Sequence, residues 1–148
     1  MPTHAEKREL PYSATQMYDL VADVAAYPAF LPWCAAARVR CTRDIEGGQE
    51  LDADLVISFK VFREKFGSKV TLRPDDHHVD VKYLDGPFKY LNNHWQFTDL
   101  PDGGCEVDFF VDFEFKSKVL QSLIGLVFNE AMQRIVRAFE DRADALYK

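Results

Sequence analysis

Three sets of residues in this 148-residue chain have types and spacings that could do chemistry. The first is Asp75-Asp76-His77-His78, four metal-ligating side chains in a row. Adjacent residues of an extended chain point to opposite sides, so only alternate members can converge. After Pro74 the run reads first as a polar hairpin turn. The second set is Cys34, Cys41 and Cys105, an odd number with no CxxC pair. They read as free thiols of a reducing compartment. The third set is Glu64, Ser68, Tyr83 and Asn93, polar residues that fall in step with an apolar pattern. GxSxG, HExxH, a phosphate-binding Gly-rich loop and a dinucleotide fingerprint are all missing, so the chain is expected not to be an enzyme.

The elements that must position these groups follow from periodicity. Thr3 to Leu10 is a weakly alternating edge strand. Ser13 and Gln16 have the spacing of a capping box, and Met17, Leu20, Val21 and Val24 follow at helical spacing. Pro28 and Pro32 then end any long helix, leaving one short turn into which Tyr27, Phe30, Leu31 and Trp33 crowd. From Ala35 to Phe115 the period is two. Six strands are expected, at Ala35–Asp44, Glu50–Phe59, Val61–Leu72, His78–Tyr83, Leu91–Thr98 and Cys105–Phe115. Gly47-Gly48, Pro74-Asp75-Asp76, Gly86-Pro87 and Pro101-Asp102-Gly103-Gly104 supply the turns. A helix from about Ser117 to Leu146 closes the chain, roughly 45 Å long. Its first half is apolar nearly all round, and Gly125 there permits a kink, a close ligand approach or close packing on the sheet.

The strands carry one dry face and one charged face, as an antiparallel sheet with one wet side does. The fold class is therefore α+β, with the sheet curled around the long helix. By strand parity Glu64, Ser68 and Asn93 point into the dry side. A carboxylate in a dry core is unfavourable unless paired or protonated. These groups therefore either line a cavity or stand at a mouth reached by water. On the wet face Arg38, Arg40, Arg63, Lys65 and Lys69 face Asp52 and Asp54, either as a charge ladder across the strands or as a contact for RNA.

Composition narrows the classes further. The chain is 47% hydrophobic and 14% aromatic, with twelve Phe. One domain, residues 1–148, is expected. The net charge of −6 argues against general nucleic-acid binding, DNA included. The longest apolar stretch, Val119 to Phe128, is too short and too interrupted to span a bilayer. The N-terminus has no signal or transit pattern, so a cytoplasmic location is expected, with peripheral contact at the inner membrane as its variant.

The run Leu20-Val21-Ala22-Asp23-Val24-Ala25-Ala26-Tyr27-Pro28-Ala29-Phe30-Leu31-Pro32-Trp33-Cys34 resembles the coenzyme Q-binding branch of the START-like, polyketide-cyclase superfamily. Gly86-Pro87-Phe88-Lys89-Tyr90-Leu91, Trp95-Gln96-Phe97 and Phe139-Glu140-Asp141-Arg142-Ala143 resemble the same branch. The resemblance implies a helix-grip fold with a hydrophobic tunnel between the curled sheet and the long helix. It also implies ubiquinone or a similar isoprenoid lipid as ligand, held without a catalytic cofactor or metal, in a carrier supporting respiration. Bacterial members of the branch are also described as a toxin that blocks association of ribosomal subunits. The expected partners are thus a hydrophobic small molecule, a transient membrane contact and a ribosome contact. A cyclase-like enzyme using the same cavity is the remaining alternative.

The expected lining starts with Phe30 and Trp33 from the short turn and Leu55, Ile57, Phe62, Glu64 and Phe66 from the first hairpin. Tyr83, Phe88, Leu91, Asn93 and Trp95 come next, then Phe109 and Val111, then Leu123, Val127 and Met132 of the helix. A prenyl tail is already dry in a membrane, so its transfer into a dry tunnel gains little. The ~0.8 kcal/mol per buried CH₂ applies against water. Selectivity then rests on the head group. Glu64, Tyr83 and Asn93 are its expected partners, with a protonated Glu64 donating to a quinone carbonyl.

Overall fold

The computed structural model describes residues 3–59 and 62–147, without the side chains of Phe59, Phe62 and Val127. Its elements are β1 (Thr3–Leu10), α1 (Ala14–Ala22), a short 3₁₀ helix (Val24–Ala29), β2 (Cys34–Ile45), β3 (Gly48–Phe59), β4 (Phe62–Arg73), β5 (His78–Asp85), β6 (Phe88–Asp99), β7 (Cys105–Phe115) and α2 (Lys118–Tyr147). The expected start of the third long strand at Val61 lies outside the described residues. Every other expected element is present, and its ends move by at most a few residues.

All seven strands form one antiparallel sheet in the order β1-β7-β6-β5-β4-β3-β2. Five neighbours are joined by short connections from β2 to β7. The remaining partner, β1, adds to the far edge, so α1 and the 3₁₀ helix must carry the chain from one edge of the sheet to the other. The capping box forms as the sequence predicts. The Ser13 hydroxyl accepts from the Gln16 backbone N–H at 3.1 Å, and the Gln16 side-chain Oε1 accepts from the Ser13 N–H at 2.9 Å.

The sheet curls because its ladder is interrupted. Register shifts occur between Cys34 and Ala36, Val39 and Cys41, Gly67 and Ser68, and Phe88 and Tyr90. An extra residue on one strand bends it and increases its twist. At the Gly67 shift the backbone N–H donates to the Asp85 carboxylate at 3.1 Å, and a Cβ there would stand 2.4 Å from that oxygen. Gly86, at φ +137, lets the β5–β6 loop pass against Phe66.

Strand parity places the core as expected. Val107, Phe109, Val111, Phe113 and Phe115 alternate along β7 with half-buried Glu106, Asp108, Phe110, Asp112 and Glu114. Helix α2 lies across the concave face, chiefly over β1 and β7, with Leu120, Ile124, Phe128, Ala131, Met132, Val136, Phe139 and Ala143 buried. Phe97, 1% exposed, sits where α1 and the sheet meet. Its truncation to Ala is expected to lower unfolding free energy by about 3–5 kcal/mol, measured by urea denaturation.

Candidate functional site

The helix covers the β1–β7 side of the concave face and leaves the β3–β4 side open. Between them lies an apolar cavity of about 250 Å³. Its walls are contributed by β3, β4, β5, β6, β7, α2 and the segment around the 3₁₀ helix. The strands supply side chains from their dry face, since residues i and i+2 share a side. Of the residues expected to line such a space, Trp33, Leu55, Ile57, Glu64, Phe66, Phe88, Leu91, Asn93, Trp95, Phe109, Val111 and Met132 come together there.

Three expected residues stand elsewhere. Phe30 turns outward, packs edge-on against Phe139 at 5.2 Å, and lies beneath the Arg142 guanidinium at 5.3 Å. Tyr83 is half-buried, and its hydroxyl accepts from the Phe88 N–H at 3.1 Å. It fastens the Gly86-Pro87 loop and does not reach the cavity wall. Leu123 lies on the flank of α2. The side chains of Phe62 and Val127 lie outside the described residues.

The helix face that reaches the cavity is Leu120, Ile124, Ala131, Ile135 and Phe139 together with Met132. Its spacing is helical, but the first half of α2 is apolar all round, so periodicity left its rotation open. The residues Tyr27, Leu31, Pro32 and Cys34 also line the cavity. Their crowding of apolar side chains into a proline-bounded turn was the sequence signal for them. Trp33 holds φ +64, in the left-handed region that a bulky residue rarely adopts. The Arg134 guanidinium covers its ring at 5.3 Å, and its carbonyl accepts from the Ser58 N–H at 2.8 Å. The strained turn thus pins the entrance to β3.

Aromatic rings form much of the wall. Phe88 stacks on Phe115 with centroids 4.6 Å apart and meets Phe66 edge-on at 5.2 Å. Trp95 contacts Phe109 at 4.5 Å and Phe139 at 4.9 Å. Such edge-to-face and offset pairs are favourable beyond the area they bury.

Polar groups are few. The Asn93 side-chain N–H donates to the Phe110 carbonyl at 2.8 Å, which orients the amide and leaves its oxygen as an acceptor. Ser68 is 1% exposed, and its hydroxyl lies 3.5 Å from the Ala53 carbonyl. Glu64 stands at the rim and is exposed, so the mouth position, not the buried one, describes it.

Two of the three thiols, Cys34 and Cys105, are poorly suited to nucleophilic work. Burial pushes the Cys34 thiol up despite its contact with the Ala36 carbonyl. Burial, with the Asp99 charge, pushes Cys105 up to about 11. Only the thiolate attacks. Asp75-Asp76-His77-His78 forms the β4–β5 turn, with His77 at φ +50 and His78 bonded to Gln96 at 2.7 Å and Asp80 at 3.0 Å. No group of three potential metal ligands occurs among the described residues. No helix among them is long and apolar enough to cross a membrane.

A family model described as "Polyketide cyclase / dehydrase and lipid transport" matches residues 10–140. The chain is 41% identical over 143 residues to the ribosome association toxin RatA of Rickettsia prowazekii, with 94% of each chain covered. It is 34% identical over 149 residues to the mitochondrial coenzyme Q-binding protein COQ10 homolog B of Xenopus laevis, covering 97% of this chain and 59% of that protein. A solution structure of an 18 kDa protein from Caulobacter crescentus superposes with a TM-score of 0.82 at 36% identity, with 99% of each chain covered. The Zhui aromatase/cyclase of Streptomyces shares the fold at 13% identity, with a TM-score of 0.81 and 99% of this chain and 96% of that one covered.

Exposure and thiol acidity together order the reactivity of the cysteines. Under native conditions near neutral pH, iodoacetamide is expected to alkylate exposed Cys41 first, Cys34 at least several-fold more slowly, and Cys105 only after unfolding. Peptide mass mapping over time reads this order.

Proposed function

The chain belongs to the polyketide cyclase/dehydrase and lipid transport family, and on that premise we propose that it is a non-catalytic carrier of an isoprenoid quinone such as ubiquinone. The observation that carries this reading is the cavity itself. It is bounded by the sheet and α2, lined by apolar and aromatic side chains, and provided with one oriented amide, the half-buried Asn93, on its wall. A binding site needs that arrangement, with apolar walls for occupancy and a few placed polar groups for orientation.

A volume of about 250 Å³ lies just below the ~300–1,000 Å³ of small-molecule pockets. It suits a ring and the first part of a prenyl chain, with the remaining tail leaving through the open side. The Asn93 amide is positioned to hydrogen-bond a quinone oxygen through its second N–H. Glu64, being in water at the rim, contributes little to head-group affinity. The name of the COQ10 relative supports the choice of ligand class.

The test is organic extraction of protein purified from its native host, followed by mass spectrometry. Near-stoichiometric quinone is the expected result, and an empty extract from folded protein overturns the reading. Asn93→Leu is expected to weaken quinone binding about 5–10-fold, the worth of one hydrogen bond, in a fluorescence-quenching titration. Glu64→Leu is expected to change it less than 2-fold. A ligand recovered chemically altered would instead indicate cyclase-like chemistry.

A second reading is a contact with the ribosome, favoured by the names of relatives 36–41% identical to this chain. On the wet face the charge ladder largely neutralises itself. Arg40 pairs with Asp54 at 3.1 Å, Lys65 with Asp54 at 3.7 Å, and Arg43 with Asp52 at 2.9 Å. Arg38 and Arg63 are exposed, with no ion pair among the described residues. On this second reading Arg38→Glu with Arg63→Glu abolishes co-sedimentation with the large ribosomal subunit, while Arg40→Glu has a smaller effect.

A further inference from the structure

Helix α2 is apolar on two opposite faces in its first turns, and only one of them is covered. Leu120 and Ile124 point into the cavity. On the other side Val119 is 65% exposed and Leu126 is 83% exposed. Seven residues apart, these two share one face across two turns. Ser122 and Gly125, both exposed, lie between them, and nothing stands within 4 Å of a Cβ built on Gly125. This residue therefore serves neither close packing on the sheet nor approach to the cavity. The apolar outer face stops sharply at Asn129-Glu130.

The location gives the stripe its meaning. The N-terminus of α2, the β5–β6 loop and the starts of β2 and β4 all lie at one end of the sheet, as the pairing registers require. Two of the cavity's lining residues, Trp33 and the exposed Glu64, stand at that end, so the rim of the cavity reaches solvent there. The charge there runs against the chain's net −6. Lys116, Lys118 and Arg63 are exposed, with no ion pair among the described residues. Lys65 and Lys89 are also exposed, paired to Asp54 at 3.7 Å and Glu114 at 2.9 Å. Glu64 at the rim and Asp85 at the β5–β6 loop are the exposed opposing charges at that end, fewer than the three cations without an ion pair among the described residues.

We propose that the first two turns of α2, from Lys118 to Leu126, dock on an anionic lipid bilayer, with Val119 and Leu126 entering the acyl boundary and Lys116, Lys118 and Arg63 meeting lipid phosphates. An apolar face edged by cations is what binds an anionic interface. A polar partner surface would leave two large aliphatic side chains dry on one side only. The docking rests on the carrier reading, because it sets the open side of the cavity against the phase in which a prenyl lipid dissolves. Ligand could then pass between bilayer and cavity without exposing its tail to water, which is the unfavourable step for a long hydrocarbon.

The test is sedimentation of the full chain with vesicles of phosphatidylcholine alone and of an equimolar phosphatidylcholine–phosphatidylglycerol mixture. Wild-type protein is expected to bind the mixed vesicles at least 10-fold more tightly than the neutral ones, and less so as salt is raised. The double variant Val119→Glu, Leu126→Glu is expected to lose at least 10-fold of that binding. Both positions are exposed, so thermal unfolding should be unchanged, and Leu146→Glu, at the far end of α2, serves as the matched control. Equal vesicle binding by wild type and double variant overturns the proposal. So does a wild-type dimer in light scattering that the double variant dissociates, since a second copy then covers the stripe. So does loss of ribosome co-sedimentation in the double variant without loss of vesicle binding. Extracted quinone content separates the two readings. Loaded protein that ignores vesicles sinks the docking alone, whereas empty protein sinks the carrier.

Discussion

One mismatch of shape governs this molecule. A seven-stranded sheet with a continuous dry face must bury that face, and a single helix about 10 Å across is too narrow to fill the trough it forms. Four register shifts curl the sheet around α2, which closes the β1–β7 side and leaves a gap under β3 and β4. The segment from Val24 to Cys34 shuts one flank of the gap with Tyr27, Leu31, Pro32 and Trp33. Protein interiors are ordinarily packed to crystal density, so a cavity of about 250 Å³ walled by intact aromatic contacts is a property of the architecture. Its lining is predominantly apolar.

The two halves of α2 are held differently. Its C-terminal half is tied to the rest of the chain by polar contacts. Arg8 donates to Glu140 at 2.6 Å, the Tyr147 hydroxyl donates to the Gln16 carbonyl at 3.1 Å, and the Tyr12 hydroxyl bonds Asp144. The bond to Asp144, with burial, pushes the Tyr12 phenol up to about 12. Burial opposes ionisation of Glu6, but hydrogen bonds from His4 and Arg8 outweigh it and hold its carboxyl below the ordinary value. The N-terminal half has its cap at Ser117, whose hydroxyl accepts from the Leu120 N–H at 3.2 Å, and the Gln121 side-chain Oε1 accepts from the Phe115 N–H at 2.8 Å. Leu120 and Ile124 of this half line the cavity.

Chemistry in the site is correspondingly spare. The wall presents an amide, a buried hydroxyl, the Cys34 thiol and, at its rim, Glu64, while the paired charges of β2, β3 and β4 lie on the convex face and largely cancel one another across the strands. Arg40 is the residue added at the Val39/Cys41 shift, and that extra residue is what lets it reach Asp54 beside its neighbour Arg38. This distribution supports recognition by shape and one or two hydrogen bonds over proton transfer or nucleophilic attack.

Much of this was legible in the residues alone. Period two from Ala35 to Phe115, turn residues between the runs, and a capping box at Ser13 determined the elements and their order. Strand parity determined which side chains face inward, because a pleated strand alternates sides regardless of what it packs on. Local patterns could not decide three things that depend on distance between elements. The rotation of α2 about its axis was open because its first half is apolar all round. Leu120 and Ile124 therefore line the cavity, where Leu123 was expected. Tyr83 and Glu64 share the inward parity of Asn93. Yet the curl of the sheet spends the first on a loop backbone and leaves the second in water. Finally, the existence of a gap at all is a relation between the curvature of seven strands and the width of one helix, which no window of sequence contains.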